Sequence, residues 1–202
     1  MARVLVLFAH PMLEKSRVQK VLLEAARSVA GVTFHDLYEE YPDFDVDIPR
    51  EQELLRGHEA IVLQHPLYWY SCPALMKQWI DLVLEHGWAY GRHGRALAGK
   101  SMMNAVSAGG NKQAYEPEGL NGHTIREFLT PFEQTAVLCN MTYLPPFVVH
   151  GTHRAGQDDI QTAARQYEAI LRALSQGVID ASRAGTARYM NDLIPPAGAE
   201  KG

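Results

Sequence analysis

Short apolar runs alternate with helix-length amphipathic segments along this chain. The first run, at 3–9 (RVLVLFA), is almost unbroken Val and Leu, which is typical of a strand buried on both faces of a sheet. Similar runs predict further strands at 32–38, 60–64, 100–106 and 146–150. Strands joined by helix-length crossovers pair in parallel, so the pattern predicts a five-stranded parallel sheet covered by helices on both faces.

Helical spacing of apolar residues fills the intervals between these strands. After the first strand, apolar residues recur at helical spacing from 18 to 29. Ser16 and Gln19 have the S-x-x-Q spacing of a capping box, which predicts that this helix begins after Ser16, and Gly31 marks its end. Further helices are predicted at 51–58, 73–85, 123–138 and 160–174.

Right-handed crossovers between such strands give a doubly wound α/β fold, either flavodoxin-like or Rossmann-like. In both folds, ligands bind where the carboxyl ends of the strands meet the following loops. We therefore expect the chemistry in the loops after strands one, three and four. Residues 1–176 form the predicted domain. Residues 177–202 are rich in Gly, Ala, Pro and charge, and they are predicted to be a C-terminal tail that is disordered or contacts a neighbouring subunit.

Composition narrows the classes of function. The 202 residues are 47% hydrophobic and carry a net charge of −4, which allows an ordinary core and argues against a nucleic-acid partner. The apolar N-terminus lacks a cleavage site and is too short to span a bilayer, so it is interpreted as a strand. The only cysteines are Cys72 and Cys139, which favours a reducing cytoplasm.

The loop after the first strand, 10–16, opens onto a helix whose free N–H groups and positive dipole end favour an anion. His10 and the Ser16 hydroxyl are candidate donors to phosphate oxygens. The loop contains neither GxGxxG nor GxxxxGK(S/T), which argues against a dinucleotide glycine motif and against a nucleotide triphosphatase. The alternative is that Ser16 only caps the helix.

The loop after the third strand carries three consecutive aromatic residues, Tyr68, Trp69 and Tyr70, between Pro66 and Pro73. Because side chains alternate along a strand, three consecutive rings cannot all point inward. A flat heteroaromatic ligand stacked on such rings gains about 1 kcal/mol beyond area burial. The two prolines stiffen the loop and so reduce the conformational entropy that it loses on binding. The loop is therefore predicted to wall a planar ring, with packing at a core edge as the alternative.

The loop after the fourth strand, SAGGNKQAY, spans 107–115. Gly109 and Gly110 permit close approach of backbone amides to a ligand, although turns also use such pairs, and Tyr115 adds a phenol. Together the three loops suit one planar ring carrying a phosphate, which describes flavin mononucleotide (FMN). FAD is the less favoured alternative, because a chain of this length leaves less surface to bury an adenine.

Longer motifs support this interpretation. HPMLEKS, HPLYWYSCPALMKQWID, HGWAYG and the GG-x4-Y loop resemble the flavodoxin-like NAD(P)H:quinone oxidoreductases. Within that family, LYEEYPDFDVDIPREQELL and LPPF resemble the ancillary subunits of glutathione-gated potassium efflux systems. The resemblance covers about 3–174. It implies a homodimer with the flavin at the subunit interface, and two-electron reduction of quinones with NAD(P)H as co-substrate.

The resemblance also implies roles for particular residues. Tyr115 is the predicted catalytic residue, hydrogen-bonding a quinone oxygen and supplying its proton. The implied cofactor contacts fall on the phosphate, the ring face and the polar edge of the ring: His10, Ser16, Arg17, Val18 and Gln19; Pro66, Leu67, Tyr68, Trp69 and Tyr70; Ser107, Ala108, Gly109 and Gly110. Lys112 is a candidate for the phosphate of the nicotinamide cofactor, with a solvated lysine as the alternative.

Three features depart from the family pattern. Gln19 stands where an Asn is frequent. Loop four often reads T-T-G-G in relatives, whereas Ser107 and Ala108 stand here and keep one hydroxyl. In larger relatives a histidine six residues after the tyrosine shares a proton relay. Here that position is Asn121, with His123 two residues further, so Tyr115 alone is predicted to act.

The resemblance names a partner and leaves alternatives open. It implies docking on the cytoplasmic domain of a potassium efflux antiporter, and hence a location in the cytoplasm or on the cytoplasmic face of the inner membrane. The alternatives are a purely regulatory flavoprotein without significant turnover, and a general azo- or nitro-reductase without a transporter. Cys72 is either a redox-sensitive thiol or a packed side chain. No histidine has the HExxH or CxxC context of a zinc site, so no metal is predicted.

Overall fold

A parallel sheet forms the centre of the molecule. The computed structural model describes residues 2–179, residue 184 and residues 187–194. The strands of this described part are β1 (Val4–Phe8), β2 (Val32–Asp36), β3 (Ala60–Pro66), β4 (Ser101–Ser107), β5 (Thr142–Tyr143) and β6 (Phe147–Val149). Their order is β2-β1-β3-β4, with β5 and β6 both pairing with β4. This order confirms the flavodoxin-like alternative of the predicted doubly wound fold.

The strand predicted at 146–150 corresponds to β6, and the short strand β5 precedes it as a sixth strand that the sequence pattern did not predict. β5 pairs with the start of β4, and β6 pairs with its end. Leu144, Pro145 and Pro146 separate them, and because proline has no N–H to donate to a ladder, the pairing is interrupted there.

Helices cover both faces of the sheet. They are α1 (Arg17–Arg27), α2 (Leu37–Glu40), α3 (Ile48–Arg56), α4 (Ala74–Val83), α5 (Ile125–Phe128), α6 (Thr130–Leu138), α7 (Gln157–Ser175) and α8 (Met190–Leu193). The helix predicted at 123–138 is divided into α5 and α6, a difference caused by Pro131, which lies in the first turn of α6 and cannot continue the hydrogen bonding of α5.

Two apolar layers, one on each face of the sheet, explain why the strands are almost continuously hydrophobic. In β1, Leu5 and Leu7 point into one layer, which contains Trp79 and Phe132. Val4 and Val6 point into the other layer, which contains Phe147 and Tyr167. Because neither face of the sheet meets water, alternation of polar and apolar residues is absent from the central strands.

A buried carboxylate links α3 to the layer beside it. Glu51 is fully buried, and its Oε1 accepts a hydrogen bond from Tyr41 Oη at 2.6 Å and lies 2.9 Å from His35 Nε2. Its Oε2 accepts from Trp79 Nε1 at 2.7 Å. Burial pushes the pKa of Glu51 up, but the hydrogen bonds from these three side chains outweigh burial and hold the pKa below its usual value.

Replacement of Glu51 by alanine is expected to lower the free energy of unfolding by about 3–5 kcal/mol, because buried donors lose their acceptor. Since the folded pKa is lowered, the carboxylate stabilises the fold fully above its unfolded pKa, and the stabilisation is lost as pH falls through the folded pKa. Urea unfolding at pH 7 measures the loss, with exposed Glu53→Ala on the same helix as the control. Equal losses in the two variants would contradict this account.

A second buried network joins β3, β4 and β5. The ring of His65 is fully buried, with Nδ1 3.0 Å from the Pro66 carbonyl and Nε2 3.0 Å from Asn104 Nδ2. Tyr143 Oη donates to Asn104 Oδ1 at 2.8 Å. In this arrangement the neutral imidazole donates through Nδ1 and accepts through Nε2, and burial lowers the pKa of His65 to about 4.

Because the unfolded chain binds this proton near pH 6.5 and the folded chain near pH 4, stability falls as pH drops below 6.5 and levels off below 4. We expect proton binding by His65 in the unfolded chain to lower the free energy of unfolding by about 2 kcal/mol between pH 7 and pH 5. Urea titrations at both pH values should show a smaller pH-dependent loss in His65→Gln than in the wild type. Exposed His93→Gln should behave like the wild type, and an unchanged loss in His65→Gln would refute the assignment.

Part of the predicted C-terminal tail packs on its own domain. Tyr189 and Met190 are buried. The Asn191 side-chain amide accepts from Val148 N–H at 2.9 Å and donates to the Val148 carbonyl at 3.1 Å. Residues 187–194 therefore supply buried side chains to their own domain and satisfy a strand edge, while contact of the tail with a neighbouring subunit stays a prediction. The other predicted tail residues at 180–183, 185–186 and 195–202 lie outside the described residues.

Candidate functional site

The carboxyl ends of β1, β3 and β4 meet at a cleft, as the strand order requires. The cleft encloses about 420 Å³, within the range of about 300–1,000 Å³ of ligand sites. The predicted residues that line it come from all three loops: His10, Ser16, Arg17, Val18, Pro66, Leu67, Tyr68, Ser107 and Gly109. Met12, Lys15, Thr152 and His153, which the sequence analysis did not identify, complete the lining.

One end of the cleft is built to receive an anion. Ser16 caps α1, with its hydroxyl oxygen accepting from Gln19 N–H at 3.1 Å. Arg17 and Val18 occupy the first two positions of α1, where backbone N–H groups have no partner within the helix. Lys15 and Arg17 add positive charge at the same end. Helix geometry and charge therefore favour a phosphate here.

His10 contributes a neutral donor to this end of the cleft. Its Nδ1 accepts a hydrogen bond from Met12 N–H at 3.1 Å, so the proton of the neutral ring resides on Nε2. Burial lowers the pKa of His10, and the nearby Glu14 carboxylate opposes that effect only in part. At neutral pH the ring is therefore an N–H donor without full charge.

Gln19 lies beneath the cleft, outside its lining. Its side chain is fully buried, with Nε2 donating to Ser107 Oγ at 2.9 Å and Oε1 accepting from Gln64 Nε2 at 2.9 Å. Gln64 Oε1 in turn accepts from Tyr167 Oη at 3.0 Å. The predicted capping box is only half formed, because Gln19 turns into the core, and the Ser16 N–H donates to the Leu13 carbonyl instead.

The hydrogen bond from Gln19 orients the hydroxyl group of Ser107. Because its oxygen accepts from Gln19, its own proton remains available to a ligand in the cleft that Ser107 lines.

The three consecutive aromatic residues diverge. The N–H and carbonyl groups of Tyr68 pair with those of Ser71. Trp69 and Tyr70 stand at the centre of this turn with φ of 48° and 62°, as a type I′ turn requires. Tyr68 lines the cleft, Trp69 is 93% exposed, and Tyr70 packs on Phe128 at 4.8 Å between ring centroids. Of the three rings, only Tyr68 therefore walls the cleft within this chain.

The glycine pair lies against the loop that follows β6. Ala108 is buried, and its backbone pairs with Val149 and Thr152. A Cβ atom at Gly109 would collide with the ring of His153, and one at Gly110 would lie 3.0 Å from the Tyr115 ring. A side chain at 109 would therefore displace the exposed His153 ring from its position against the glycine pair.

A second cavity of about 760 Å³ adjoins the cleft and shares Gly109 and His153 with it. Its other lining residues are Gly110, Asn111, Gln113, Ala114, Glu118, Gly119, Leu120, Gly151 and Arg154. Several of these follow β6, a loop outside the three predicted ones. The sequence could have predicted a role for the loop after β6, because a parallel strand next to β4 must end at the same edge of the sheet.

Tyr115 is buried and lines neither cavity. It packs beneath Gly110, with the His150 ring 5.8 Å away. Burial raises the pKa of Tyr115, a shift that the Gly110 backbone N–H partly opposes. Asn121 stands where larger relatives have the histidine of the proton relay, and its side chain bonds Tyr70 Oη and the Ala114 carbonyl. His123, two residues further, is exposed.

The remaining candidates lie outside both cavities. Lys112 is exposed and stands 5.9 Å from the Tyr189 ring centroid. Cys72 is half-buried and free, and burial raises the pKa of its thiol, which disfavours the reactive thiolate. Within the described residues, no cluster of His, Cys, Asp and Glu side chains is arranged to hold a metal ion, and no helix has the length and apolar character to cross a bilayer.

Comparison with known proteins agrees with this architecture. A family model described as a flavodoxin-like fold matches residues 2–171. The glutathione-regulated potassium-efflux system ancillary protein KefG of Shigella flexneri is 47% identical over 177 residues, covering 87% of this chain and 97% of KefG. Its name confirms the resemblance drawn from the motifs.

Two solved structures are similar throughout. General stress protein 14 of Treponema denticola, in complex with FMN, is 42% identical with a TM-score of 0.82, covering 85% of this chain and 99% of that one. An NADPH-quinone reductase from P. pentosaceus is 37% identical with a TM-score of 0.75, covering 82% and 95%. The chain therefore belongs to the flavodoxin-like family.

Proposed function

We propose that this protein binds FMN in the cleft and catalyses two-electron reduction of quinones by NAD(P)H. The observation that carries the proposal is the arrangement of the cleft, which joins an anion-binding helix start, an aromatic wall and a backbone edge rich in glycine. The FMN complex of the Treponema relative and the name of the NADPH-quinone reductase support both parts.

The residues of the cleft fit FMN from end to end. The start of α1, with His10, Ser16 and Arg17, would hold the phosphate. Tyr68 would face the ring, and the backbone around Gly109, with the Ser107 hydroxyl, would meet its polar edge. The flavin, when bound, supplies hydride chemistry between nicotinamide and quinone. The protein supplies orientation and donors at the ring edge.

The second cavity is the proposed site of the nicotinamide and quinone substrates. It adjoins the cleft at Gly109 and His153, and Arg154 gives it a cation for a phosphate group. If the cofactor were FAD, its adenosine would occupy this space instead. Tyr115 remains the proposed proton donor to the quinone. Its ring lines neither cavity, but it packs directly beneath Gly110, a residue of the cavity wall that has no side chain to separate the two.

A homodimer with the cleft at its interface is part of the proposal. Trp69 and Leu120 are 93% and 92% exposed, and they lie on loops that border the two cavities. Large apolar side chains in contact with water favour a covering partner, and a second copy of this chain would also close the cleft to solvent.

The similarity to KefG supports a regulatory partnership as well. We propose docking on the cytoplasmic domain of a potassium efflux antiporter, at the cytoplasmic face of the inner membrane. The residues 36–47 are rich in Asp and Glu, and two of these six acidic side chains already serve the fold, since Asp36 and Asp47 cap α2 and α3. A purely regulatory flavoprotein and an azo- or nitro-reductase without a transporter remain the alternatives. NAD(P)H-dependent turnover of quinones separates the first of these from the proposal, and co-purification with the antiporter domain separates the second.

Purified protein is expected to show flavin absorption and to release FMN, and Ser16→Ala should weaken FMN binding by roughly 10- to 100-fold through loss of a phosphate donor. The matched control is Asp47→Ala, which removes the N-cap of α3, whose carboxylate accepts from Arg50 N–H at 3.1 Å. Both variants should lose about 1 kcal/mol of stability, but only Ser16→Ala should change the FMN dissociation constant in fluorescence titrations. Equal FMN affinity in both variants, or a protein that takes up no flavin, would reject the site.

Trp69→Gly is expected to weaken the dimer by at least about tenfold, because it removes a large apolar contact. Glycine accepts the positive φ of this position, so the fold itself should not lose stability. Sedimentation across a concentration series gives the dimer dissociation constants. Val137→Ser, which removes an exposed apolar side chain of α6 outside both cavities, is the control. A wild-type chain that stays monomeric at micromolar concentration would count against the dimer.

A further inference from the structure

The described segment 187–194 lies beyond residues 2–171, which match the family model. It is anchored at one end by Asn191, through its pairing with Val148 and through Gln166, whose amide donates to the carbonyls of Asn191 and Ile194 at 2.9 and 2.7 Å. Met190 N–H adds a bond to the Pro146 carbonyl at 2.9 Å. The segment is therefore held firmly against β6 and α7.

From this anchor, Arg188 reaches the loop that carries Tyr115. Its Nη1 donates to both carboxylate oxygens of Glu116, at 3.0 and 2.8 Å, and its Nη2 donates to the Tyr115 carbonyl at 3.2 Å. The ring of Tyr189 lies under the guanidinium at 5.2 Å and contacts His150 at 5.8 Å. One side chain thus fixes both the backbone of Tyr115 and the side chain of the next residue.

Glu116 begins the turn that forms one wall of the second cavity. The Gly119 N–H donates to the Glu116 carbonyl at 2.8 Å, and Asn121 N–H donates to the Ala114 carbonyl at 3.0 Å. Glu118, Gly119 and Leu120 then line the cavity. Fixing Glu116 therefore fixes the turn that shapes this cavity.

The exposure of the ion pair indicates what it contributes. The side chains of Arg188 and Glu116 are 36% and 30% exposed, so their attraction is screened and adds little to global stability. A guanidinium that bonds a carboxylate and a backbone carbonyl together is nevertheless geometrically restrictive. The pair is thus suited to holding a loop in place rather than to stabilising the fold.

We propose that Arg188, presented by the segment 187–194, is a positioning residue for the second cavity. It holds the 112–120 loop in the shape that admits the nicotinamide substrate and keeps Tyr115 beneath Gly110. This inference rests on the proposed function for the identity of the ligand, and on the contacts of Arg188 alone for the positioning. It assigns a role to a part of the chain outside the family match.

The test compares four forms of the full-length, FMN-loaded protein: wild type, Arg188→Gln, the exchanged pair Arg188→Glu with Glu116→Arg, and Arg172→Gln. Arg172 forms an exposed ion pair with Glu168 on α7 and touches neither cavity, so it is the matched control. Hydrogen–deuterium exchange of residues 112–120, FMN affinity, anaerobic binding of NADPH and NADH, and steady-state quinone reduction are measured on each form.

In Arg188→Gln, exchange of 112–120 should accelerate, while FMN affinity stays within about twofold of the wild type. Binding of NADPH or NADH should weaken roughly tenfold. The KM for that nucleotide should rise by the same factor, with kcat little changed. The exchanged pair should recover part of the loss, because it restores the ion pair but not the bond to the Tyr115 carbonyl. Arg172→Gln should match the wild type throughout.

Unchanged exchange in Arg188→Gln would overturn the proposal whatever the activity. Faster exchange without weaker nucleotide binding would also overturn it, since the segment would then be only structural. A wild type that binds NADPH or NADH but does not reduce quinone would reject the proposed enzyme function and leave the positioning role intact. A wild type that binds neither nucleotide would reject both.

Discussion

The site depends on a line of hydrogen bonds through the core, from Tyr167 to Gln64, Gln19 and Ser107. These four side chains come from α7, β3, α1 and β4, and the first three of them are fully buried. Buried polar groups are costly unless every partner is satisfied, so the line tolerates little displacement of one element against another. It thereby sets the distance between the start of α1, where an anion would bind, and the end of β4, where the glycine edge begins.

Much of this arrangement could be predicted from the sequence, because burial on both faces leaves a strong signal. The apolar runs of β1 and β3 and the cap at Ser16 depend on local chemistry that a single segment reveals. The division of the predicted helix near Pro131 is also local, and it could have been found. By contrast, the sequence predicts Gln19 as a capping partner and cofactor contact, because its observed partners, Gln64 and Ser107, are distant in sequence.

The same reasoning explains the other differences. Whether Trp69 points to a ligand or to water depends on the two positive φ angles of its turn. Aromatic residues rarely adopt such angles, so the sequence does not predict them. His153 enters the site only because β6 pairs with the end of β4. The contacts of Arg188 cross more than seventy residues of sequence, and no local pattern encodes a contact of that range.

The cleft and its neighbour divide the proposed reaction between two kinds of support. The side proposed for FMN rests on buried, apolar-walled elements of the sheet, whereas the side proposed for the substrates rests on a loop held by a partly exposed ion pair. Rigid support suits a cofactor that stays bound, and adjustable support suits substrates that enter and leave in every turnover.

The pairing of Asn191 with Val148 has a consequence for the behaviour of the protein in concentrated solution. β6 is a terminal strand, and an open strand edge is a template on which other chains can add. The Asn191 amide presents the donor and acceptor that an incoming strand would offer, and it occupies the central residue of a strand only three residues long. The C-terminal segment thus protects the sheet from growing beyond the molecule, so its loss would promote aggregation even in a chain whose core remains intact.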